Sequence, residues 1–195
     1  MSKVKQIKHC GFSLIELLVS IIIFSVGLLA VAGLQTVSKS ANFESLQRTT
    51  AAHIANGLLE DMRTNGNGID IYLASVDLGD NVIVAEPVPN CGTMGATCNA
   101  AQKAAHDLWF WEELLDGEME VGAEGAAGGL VQPTICIDGP VGGGAGIYTV
   151  TIAWRGGVSL LDAGIITCGD GSGKYGAGNA FRRNVQVPTF LDPAI

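Results

Sequence analysis

The stretch Gly11-Phe12-Ser13-Leu14-Ile15-Glu16, together with the apolar run that follows it to Leu34, decides the fold of this chain. Residues 12–34 are enough for a helix to span a bilayer. Glu16 is the only side chain in this run that is charged at neutral pH. A carboxylate costs about 2.5–3.5 kcal/mol at the middle of a bilayer and less near an interface. Because of this cost, we expect the Glu16 carboxylate to have a function in the protein.

A basic leader precedes the apolar run, with Lys3, Lys5 and Lys8 before Gly11. A secretory signal is cleaved after its apolar region, whereas here the small residue stands before it. Cleavage after Gly11 would leave the apolar helix on the mature chain. The lysines should hold the N-terminus in the cytoplasm, which directs the rest of the chain to the periplasm or the outside. Cysteines in that compartment are expected to be oxidised.

The motif GFSLIELLVSIIIFSVGLLAVAGLQ, residues 11–35, closely resembles the class III signal of type IV prepilins and type II secretion pseudopilins. The resemblance implies cleavage by prepilin peptidase between Gly11 and Phe12, followed by N-methylation of Phe12. It also implies that Glu16 neutralises the new N-terminal amine, most often that of a neighbouring subunit, during filament assembly. Pairing is needed because an isolated charge buried in an apolar bundle is very costly. A plain signal anchor with a stray glutamate is the alternative.

The helical pattern continues beyond the apolar run. Phe43, Leu46, Thr50, Ile54 and Leu58 recur at steps of three or four residues, which is typical of an amphipathic helix. No proline interrupts residues 12–64, and the asparagine-glycine pairs of residues 65–68 are a strong stop. The sequence therefore predicts one helix of roughly 80 Å from Phe12 to about Asn65. Its first half would lie in the membrane or the filament core, and its second half would pack on a globular head.

Two further segments narrow the resemblance to the PilV group of minor pilins. Residues 51–65, AAHIANGLLEDMRTN, are similar to that group's LLE-x-MR-x-N ending of the long helix, and residues 153–156, AWRG, to its tryptophan-arginine pair at a strand end. Asp107 and Trp111 resemble its acidic residue followed by a tryptophan. The resemblance implies a minor pilin that primes or caps pilus assembly, in support of adhesion and twitching motility.

The same resemblance implies partners and a location. The partners would be other minor and major pilins, prepilin peptidase and the assembly machinery of the inner membrane. Before assembly the chain would cross the inner membrane once, with its N-terminus in the cytoplasm and its head in the periplasm. After assembly it would lie in the pilus at the cell surface.

The fold class expected from these patterns is α+β. It is a pilin fold in which a long N-terminal helix packs on a small antiparallel sheet stapled by disulfides. A second helix is predicted over residues 100–115, and strands over residues 134–137, 148–154 and 183–187, with a further short strand over 81–85. The acidic, glycine-rich residues 117–129 are interpreted as a solvated linker. The expected organisation is a cleaved leader (1–11), a membrane or filament-core helix (12–34), its amphipathic continuation (35–65) and the head (66–195).

Five cysteines are present, and Cys10 is lost with the leader. The other four allow three pairings, between which the sequence alone does not choose. We favour Cys91–Cys98 as a local loop and Cys136–Cys168 as a staple between a strand and a loop. A small head gains most from bridges that close its glycine-rich loops. A zinc site is the rival, but the sequence contains no C-x-x-C pair.

Composition and motifs argue against several other functions. The formal net charge of the 195 residues is −8 and becomes more negative without the leader's lysines, which disfavours binding of nucleic acid or anionic lipid as the main task. Motifs of hydrolases, metalloproteases and nucleotide-binding loops are missing from the sequence, and His53 and His106 stand alone. We therefore expect no enzyme, no cofactor and no metal.

Two alternative functions stay open at the level of sequence. A type II secretion pseudopilin shares every feature of the N-terminus. A membrane-tethered adhesin or binding module could use the aromatic cluster Trp109-Phe110-Trp111 as a ligand platform. Aromatic residues on a helix more often anchor a core, and we favour that interpretation of the cluster.

Overall fold

A computed structural model describes residues 11, 13–75, 77–80, 82–119, 121–122, 125–126, 128–160 and 166–194. The chain divides into two compact units, one up to Asn42 and the other from Phe43 onward. Helix α1, Leu14–Thr64, has residues in both units. The prediction of one long helix that stops at the asparagine-glycine pairs is confirmed. Phe12, the predicted first residue of the helix, lies outside the described residues.

The second unit is an α+β head, as predicted. Its sheet contains β3 (Thr134–Asp138), β4 (Gly146–Arg155) and β5 (Arg182–Leu191), all antiparallel, in the order β3-β4-β5. The register pairs Thr134 with Ala153 and Val150 with Val187. β5 continues through Pro188, beyond the predicted end of this strand. A proline is compatible with β5 because the strand has a neighbour on one side only and needs no backbone donor on the other.

One hydrophobic core joins the sheet to the helices of the head. The second half of α1 buries a stripe with helical spacing, which comprises Gln47, Ala51, Ile54, Ala55, Leu58, Leu59 and Met62. It shares Ile54 and Leu58 with the predicted stripe, whereas Phe43 and Leu46, also predicted to belong to it, are exposed. Trp154 and Tyr148 of β4 are fully buried in the same core. The sheet, α1 and the helix of residues 100–116 thus share one main core, and a smaller cluster of Ala153, Cys168 and Tyr175 lies beside it.

The third helix follows its sequence signals closely. α3 spans Ala100–Asp116. It begins with a capping box in which the Asn99 side chain accepts the Gln102 backbone N–H and the Gln102 side chain accepts that of Asn99. It ends at Gly117, whose φ of 79° belongs to the left-handed region. A Cβ at Gly117 would also lie 2.5 Å from the Gly128 carbonyl, so this position has room only for glycine.

Three local predictions were wrong or incomplete. The described residues of the predicted strand 81–85 form no strand, because their backbone donors are bound by a side chain, as set out below. The connection after α1 contains a one-turn 3-10 helix, Gly66–Gly68, and a short helix α2, Ile69–Ala74. The predicted linker contains the two-stranded hairpin of β1, Val121–Gly122, and β2, Gly125–Ala126.

A buried carboxylate replaces strand pairing in this segment. Glu112 of α3 is 1% exposed, and its two oxygens accept the backbone N–H groups of Gly79 (2.9 Å), Val82 (2.6 Å) and Ile83 (2.9 Å). A buried carboxylate is tolerated when hydrogen bonds of this kind replace its hydration. Asp116 of α3 also accepts the Asp80 N–H at 3.0 Å, so two carboxylates of α3 hold this segment. Its pairing with a strand is limited to one bridge, between Leu78 and Ile135 of β3.

Two disulfides are present in the head, Cys91–Cys98 and Cys136–Cys168, which are the favoured pairings. The first closes a local loop just before α3. The second joins β3 to the segment that precedes β5. The fold class, a pilin fold with a disulfide-stapled head, is confirmed.

We expect the two disulfides to stabilise the head unequally. The sequence separations are 7 residues for Cys91–Cys98 and 32 for Cys136–Cys168. Loop entropy then gives about 2 kcal/mol for the first and about 4 kcal/mol for the second. Denaturant unfolding of the full chain in detergent should show the larger loss for the paired Cys136→Ala, Cys168→Ala variant. A larger loss for the Cys91→Ala, Cys98→Ala pair would contradict this ranking.

We expect Glu112→Gln to destabilise the head by about 3 kcal/mol, because the amide offers one acceptor oxygen and turns donors toward backbone donors. Hydrogen exchange at the amides of Gly79, Val82 and Ile83 should rise with it. Glu113→Gln is the matched control, with the same change of charge one residue along α3, and should change stability by about 0.5 kcal/mol or less. Similar losses in both variants would show that the carboxylate does not hold the segment.

Candidate functional site

The first unit exposes an almost continuous apolar surface. Large apolar side chains from Leu14 to Val37 are 49–83% exposed. α1 is long and apolar enough to cross a membrane, by length and composition. Apolar surface of this extent is unfavourable in water, so the segment requires a bilayer or the helices of other subunits around it.

The polar side chains of this segment are compatible with such surroundings. The hydroxyl groups of Ser20, Ser25 and Thr36 donate to the backbone carbonyls of Glu16 (2.7 Å), Ile22 (2.8 Å) and Gly33 (2.7 Å). Each hydroxyl is thereby satisfied within the helix itself. In an apolar medium, groups left without such partners would cost several kcal/mol each.

Glu16 lies in the first turn of α1, with an exposed side chain and its backbone N–H 3.1 Å from the Ser13 carbonyl. A carboxylate is favourable there because the free N–H groups of the first turn carry partial positive charge. Within the described residues Glu16 makes no ion pair, so its charge is available to a cation. Gly11 is exposed, with no atom within 4 Å of the position its Cβ would take. Phe12, the predicted methylation site, lies outside the described residues.

The aromatic cluster on α3 serves mainly to pack the head. A Cβ at Gly57 of α1 would overlap the Trp111 ring, and Trp111 Nε1 donates to Asp61 Oδ2 at 2.7 Å. Trp111 therefore fixes α3 against α1. Trp109 and Phe110 are half-buried, and the Trp109 ring lies 5.5 Å from that of His106. The interpretation of the cluster as a core anchor applies best to Trp111.

Two of the segments that suggested a PilV-like chain, the end of α1 and the region of Asp107, meet in one polar network. Tyr72 of α2 donates its hydroxyl to Asp107 at 2.5 Å, and Asp107 also accepts Lys103 Nζ at 2.8 and 3.0 Å. Asn65, just after α1, donates to the Ala100 carbonyl at 2.8 Å. Asn65, the last residue of the LLE-x-MR-x-N ending, thus joins the end of α1 to α3, and Asp107 joins α3 to α2. Sequence reasoning found Asn65 and Asp107 but missed Tyr72 and Lys103, which no motif indicated.

Burial changes the proton affinities in this network. Burial raises the pKa of Asp61 above its ordinary value of 3.8, and the hydrogen bond from Trp111 opposes the shift. Burial, followed by the hydrogen bond to the Asp107 carboxylate, raises the pKa of Tyr72, which therefore stays protonated and acts as a donor. Lys103, 4.0 Å from Asp61 and bonded to Asp107, is the cation shared by the two carboxylates.

The four cysteines of the described head offer no thiolate ligand to a metal, because all four are in disulfides. Asp77 lies beside the Cys136–Cys168 disulfide, with Oδ1 3.1 Å from Cys136 Sγ. Metal ions bind thiolates, and a sulfur in a disulfide is not one. The contact is also not a hydrogen bond, since that sulfur carries no proton.

Two family models match adjoining parts of the chain. Residues 7–32 match the model described as the prokaryotic N-terminal methylation motif, and residues 33–109 match the model described as Type IV pilin Tt1218. No curated protein and no solved structure matches the chain. The methylation motif contains Gly11, Phe12 and Glu16, and the second match extends from α1 into α3.

These matches and the pilin fold give the class to which residues 7–109 are similar: an N-terminal methylation motif followed by a type IV pilin domain. Type IV pilins are structural proteins. The exposed apolar helix and the prepilin motif fit membrane anchoring followed by assembly into a pilus.

We expect Asp61→Asn to change the pH dependence of stability. The folded state favours protonated Asp61, because its pKa is raised above 3.8. The wild type therefore loses stability as pH rises from about 3.8 through the folded pKa. The asparagine keeps an acceptor for Trp111 but does not titrate, so its stability relative to wild type should increase over that interval and then level off. Denaturant unfolding between pH 3 and 7 measures this.

Asp61→Ala is the contrasting variant, since it also removes the acceptor of the half-buried Trp111 N–H. It should be less stable than Asp61→Asn at every pH, by about 1 kcal/mol. A constant difference between wild type and Asp61→Asn from pH 3 to 7 would refute the raised pKa.

Proposed function

We propose that this pilin is a minor subunit of a type IV pilus that primes or caps the pilus together with other minor pilins. Prepilin peptidase cleaves between Gly11 and Phe12, and Phe12 is then N-methylated. Residues 12–34 anchor the chain in the inner membrane and later enter the filament core. The head lies in the periplasm before assembly and at the cell surface afterwards, where the pilus supports adhesion and twitching motility.

The exposure of the first unit of α1 is the observation that carries this proposal. Over residues 14–34 its side chains are apolar except for Glu16 and two serines, Ser20 and Ser25, whose hydroxyl groups donate to helix carbonyls. Such a helix suits a bilayer and a bundle of similar helices equally well, which is what extraction from the membrane into a filament requires. A chain that only needed an anchor would not require a carboxylate at this depth.

Glu16 supplies the electrostatic part of the mechanism. Cleavage after Gly11 creates an amine on Phe12 that enters an apolar environment with its positive charge. The carboxylate of Glu16, most effectively that of a neighbouring subunit, neutralises this amine. An ammonium left buried and unpaired costs about 3–5 kcal/mol, which makes incorporation without Glu16 unfavourable by a factor of about a hundred or more.

The minor role rests on the network between α1 and α3. Three of the residues similar to PilV-like chains, namely Asn65, Asp107 and Trp111, make polar contacts at the junction of α1, α2 and α3. They therefore support one structural unit in the head. The partners implied are the other minor pilins, the major pilin, prepilin peptidase and the assembly machinery of the inner membrane.

A type II secretion pseudopilin would have the same N-terminal cleavage, methylation and charge pairing as a minor pilin. A functional test must therefore separate these two functions. The adhesin alternative has less support from geometry. The hydrogen-bonding group of Trp111 is bound to Asp61, and its ring is packed against Gly57. We therefore do not favour a ligand platform on this tryptophan.

We expect Glu16→Gln to be cleaved and methylated normally but incorporated into filaments at least tenfold less than wild type. The measurement is mass spectrometry of sheared surface filaments and of membranes, with quantification of the methylated Phe12 peptide. Ser20→Ala is the matched control, one turn along the same helix and without a change of charge. It should be incorporated as well as wild type, since its hydroxyl bonds only within the helix.

The outcomes of this measurement separate the alternatives. Normal incorporation of Glu16→Gln would refute neutralisation by Glu16. A processed wild-type chain found only in the membrane, with a secretion defect and normal pili in its deletion strain, would favour the pseudopilin. A chain that keeps residues 1–11 in every fraction would refute processing altogether.

A further inference from the structure

The two disulfides of the head differ in what surrounds them. Cys91 and Cys98 are half-buried, and residues 92–97 between them are all exposed. In the second pair Cys168 is only 6% exposed, so the half-buried Cys136 is its accessible sulfur. A thiolate opens a disulfide by attacking one of the two sulfur atoms. Access alone therefore permits attack on both disulfides, and other features must decide which of them reacts.

The cavity beside Cys136 has a volume of about 520 Å³ and contains carboxylates without a cation. Its described lining includes Asp77 and Asp138 but no lysine, arginine or histidine. Asp77 Oδ1 lies 3.1 Å from Cys136 Sγ. This carboxylate gains no hydrogen bond from the sulfur, because a sulfur in a disulfide carries no proton. A thiolate that enters the cavity therefore meets negative charge directly beside its target.

The backbone fixes Asp77 in this place. Its φ is 48°, in the left-handed region that residues other than glycine rarely adopt. The next residue, the buried Leu78, forms a bridge with Ile135 through two hydrogen bonds of 3.1 and 2.7 Å. Ile135 directly precedes Cys136 in β3. The closeness of the carboxylate to the sulfur thus follows from the fold of the head and not from a freely rotating side chain.

The surroundings of Cys168 also oppose exchange at this pair. When a thiolate attacks Cys136, Cys168 must leave as a thiolate. Its Sγ faces two carbonyl oxygens, of Thr134 at 3.8 Å and of Thr151 at 3.6 Å, and carbonyl oxygens do not stabilise an anion. The attack would therefore place one negative charge beside Asp77 and leave another on a buried sulfur. Both are unfavourable, through repulsion of like charges and through desolvation.

The surroundings of Cys91–Cys98 are more permissive. Among the described residues, no carboxylate oxygen lies within 4.8 Å of both sulfur atoms. The Pro89 carbonyl is 3.4 Å from Cys91 Sγ, which favours Cys98 as the sulfur that leaves as a thiolate. An attacking thiolate can approach this pair from the side of the exposed residues 92–97.

We propose that Cys91–Cys98 is a site of reversible thiol–disulfide exchange and that Asp77 protects Cys136–Cys168 from the same reaction. The partner is a dithiol oxidoreductase. One thiolate of the partner attacks Cys91 Sγ and forms a mixed disulfide, while Cys98 leaves as a thiolate and takes up a proton. The partner's second thiolate then attacks its own sulfur in the mixed disulfide, and Cys91 leaves and is protonated. Two electrons pass to the head, which gains two thiols, and the partner ends with a disulfide.

Exchange at this site changes a loop and leaves the rest of the head folded. Residues 92–97 are outside the described core, and the capping box of α3 needs only Asn99 and Gln102. The disulfide between β3 and the segment before β5 stays closed. The inference rests on the proposed function only for the compartment in which an oxidoreductase meets the head, since the chemistry belongs to the head itself.

The first measurement compares the two disulfides in the full, oxidised chain, kept in a non-ionic detergent at mildly alkaline pH. The reductants are 2-aminoethanethiol, which is cationic, and 2-mercaptoethanesulfonate, which is anionic and of similar size. Free thiols are alkylated at intervals, and peptide mapping by mass spectrometry follows each pair. We expect Cys91–Cys98 to open at least tenfold faster than Cys136–Cys168 with either reagent. Equal rates, or the reverse order, would overturn the exchange site.

The charges of the two reagents test the role of Asp77. The rate at Cys91–Cys98 corrects for the intrinsic reactivity of each reagent. After this correction the anionic thiol should open Cys136–Cys168 about tenfold more slowly than the cationic thiol. Asp77→Asn should remove most of this difference, since it deletes the charge and asparagine tolerates the left-handed backbone. Asp70→Asn, at an exposed aspartate of α2 that does not line the cavity, is the matched control and should retain the difference.

Two results would overturn the role of Asp77. Faster opening of Cys136–Cys168 in Asp77→Asn by both reagents alike would show a loosened structure and not a lost charge. An unchanged ratio between the reagents in this variant would show that burial alone protects the pair. Denaturation does not produce the expected pattern, because an unfolded chain makes the sulfur accessible to both thiols.

The class of partner is tested with a thioredoxin-fold oxidoreductase whose second active-site cysteine is replaced by alanine, so that the mixed disulfide accumulates. We expect adducts on Cys91 or Cys98 and none on Cys136, and the lack of adducts on the first pair would overturn enzymatic exchange. Because these experiments use the purified chain, their failure leaves the proposed pilus function intact. A head found in the cytoplasm by cell fractionation would instead refute the proposed location and leave the measured rates unchanged.

Discussion

The structure depends on one constraint, that every backbone polar group in an apolar medium needs a partner within its own segment. Residues 14–34 can meet it only as a helix, and the hydroxyl groups of Ser20 and Ser25 follow the same rule by bonding to helix carbonyls. Nothing in the sequence stops this helix before the glycines of residues 66–68. The head is consequently built on a helix whose first part requires apolar surroundings. Near Phe43, the apolar surface of α1 narrows from most of the helix circumference to one face.

The head compensates for its modest core with specific polar and covalent links. Glu112 binds three backbone amides that would otherwise need a strand, and the network of Tyr72, Asp107 and Asn65 ties α2 and α3 to the end of α1. The two disulfides close the segments that contain most of the remaining irregular backbone. These links explain how a glycine-rich sequence, in which extensive stretches have no regular structure, still forms one core.

Charge has two separate functions in this pilin. At the N-terminus, the proposed function of the single carboxylate in the apolar run is to pair with a buried amine. In the head, buried carboxylates hold separate elements together: Glu112 accepts three backbone N–H groups, and Asp107 accepts the Tyr72 hydroxyl and the Lys103 amine. Both kinds of interaction are strong where water is scarce.

The sequence by itself determined the long helix, α3, the three strands of the sheet and the prepilin motif, because hydrophobic periodicity, proline-free length and capping residues are local signals. It left the disulfide pairing open. It also predicted a strand over residues 81–85, where the structure instead has the backbone N–H groups of Val82 and Ile83 bonded to Glu112. The sequence of these residues looks the same whether their backbone pairs with a strand or with a carboxylate. Sequence also named Asn65, Asp107, Trp111 and Arg155 without their contacts. Only the tertiary structure decided that the first three belong to the junction of α1 and α3 and that Arg155 adjoins a groove, because residues 35 or more positions apart meet only when the core forms.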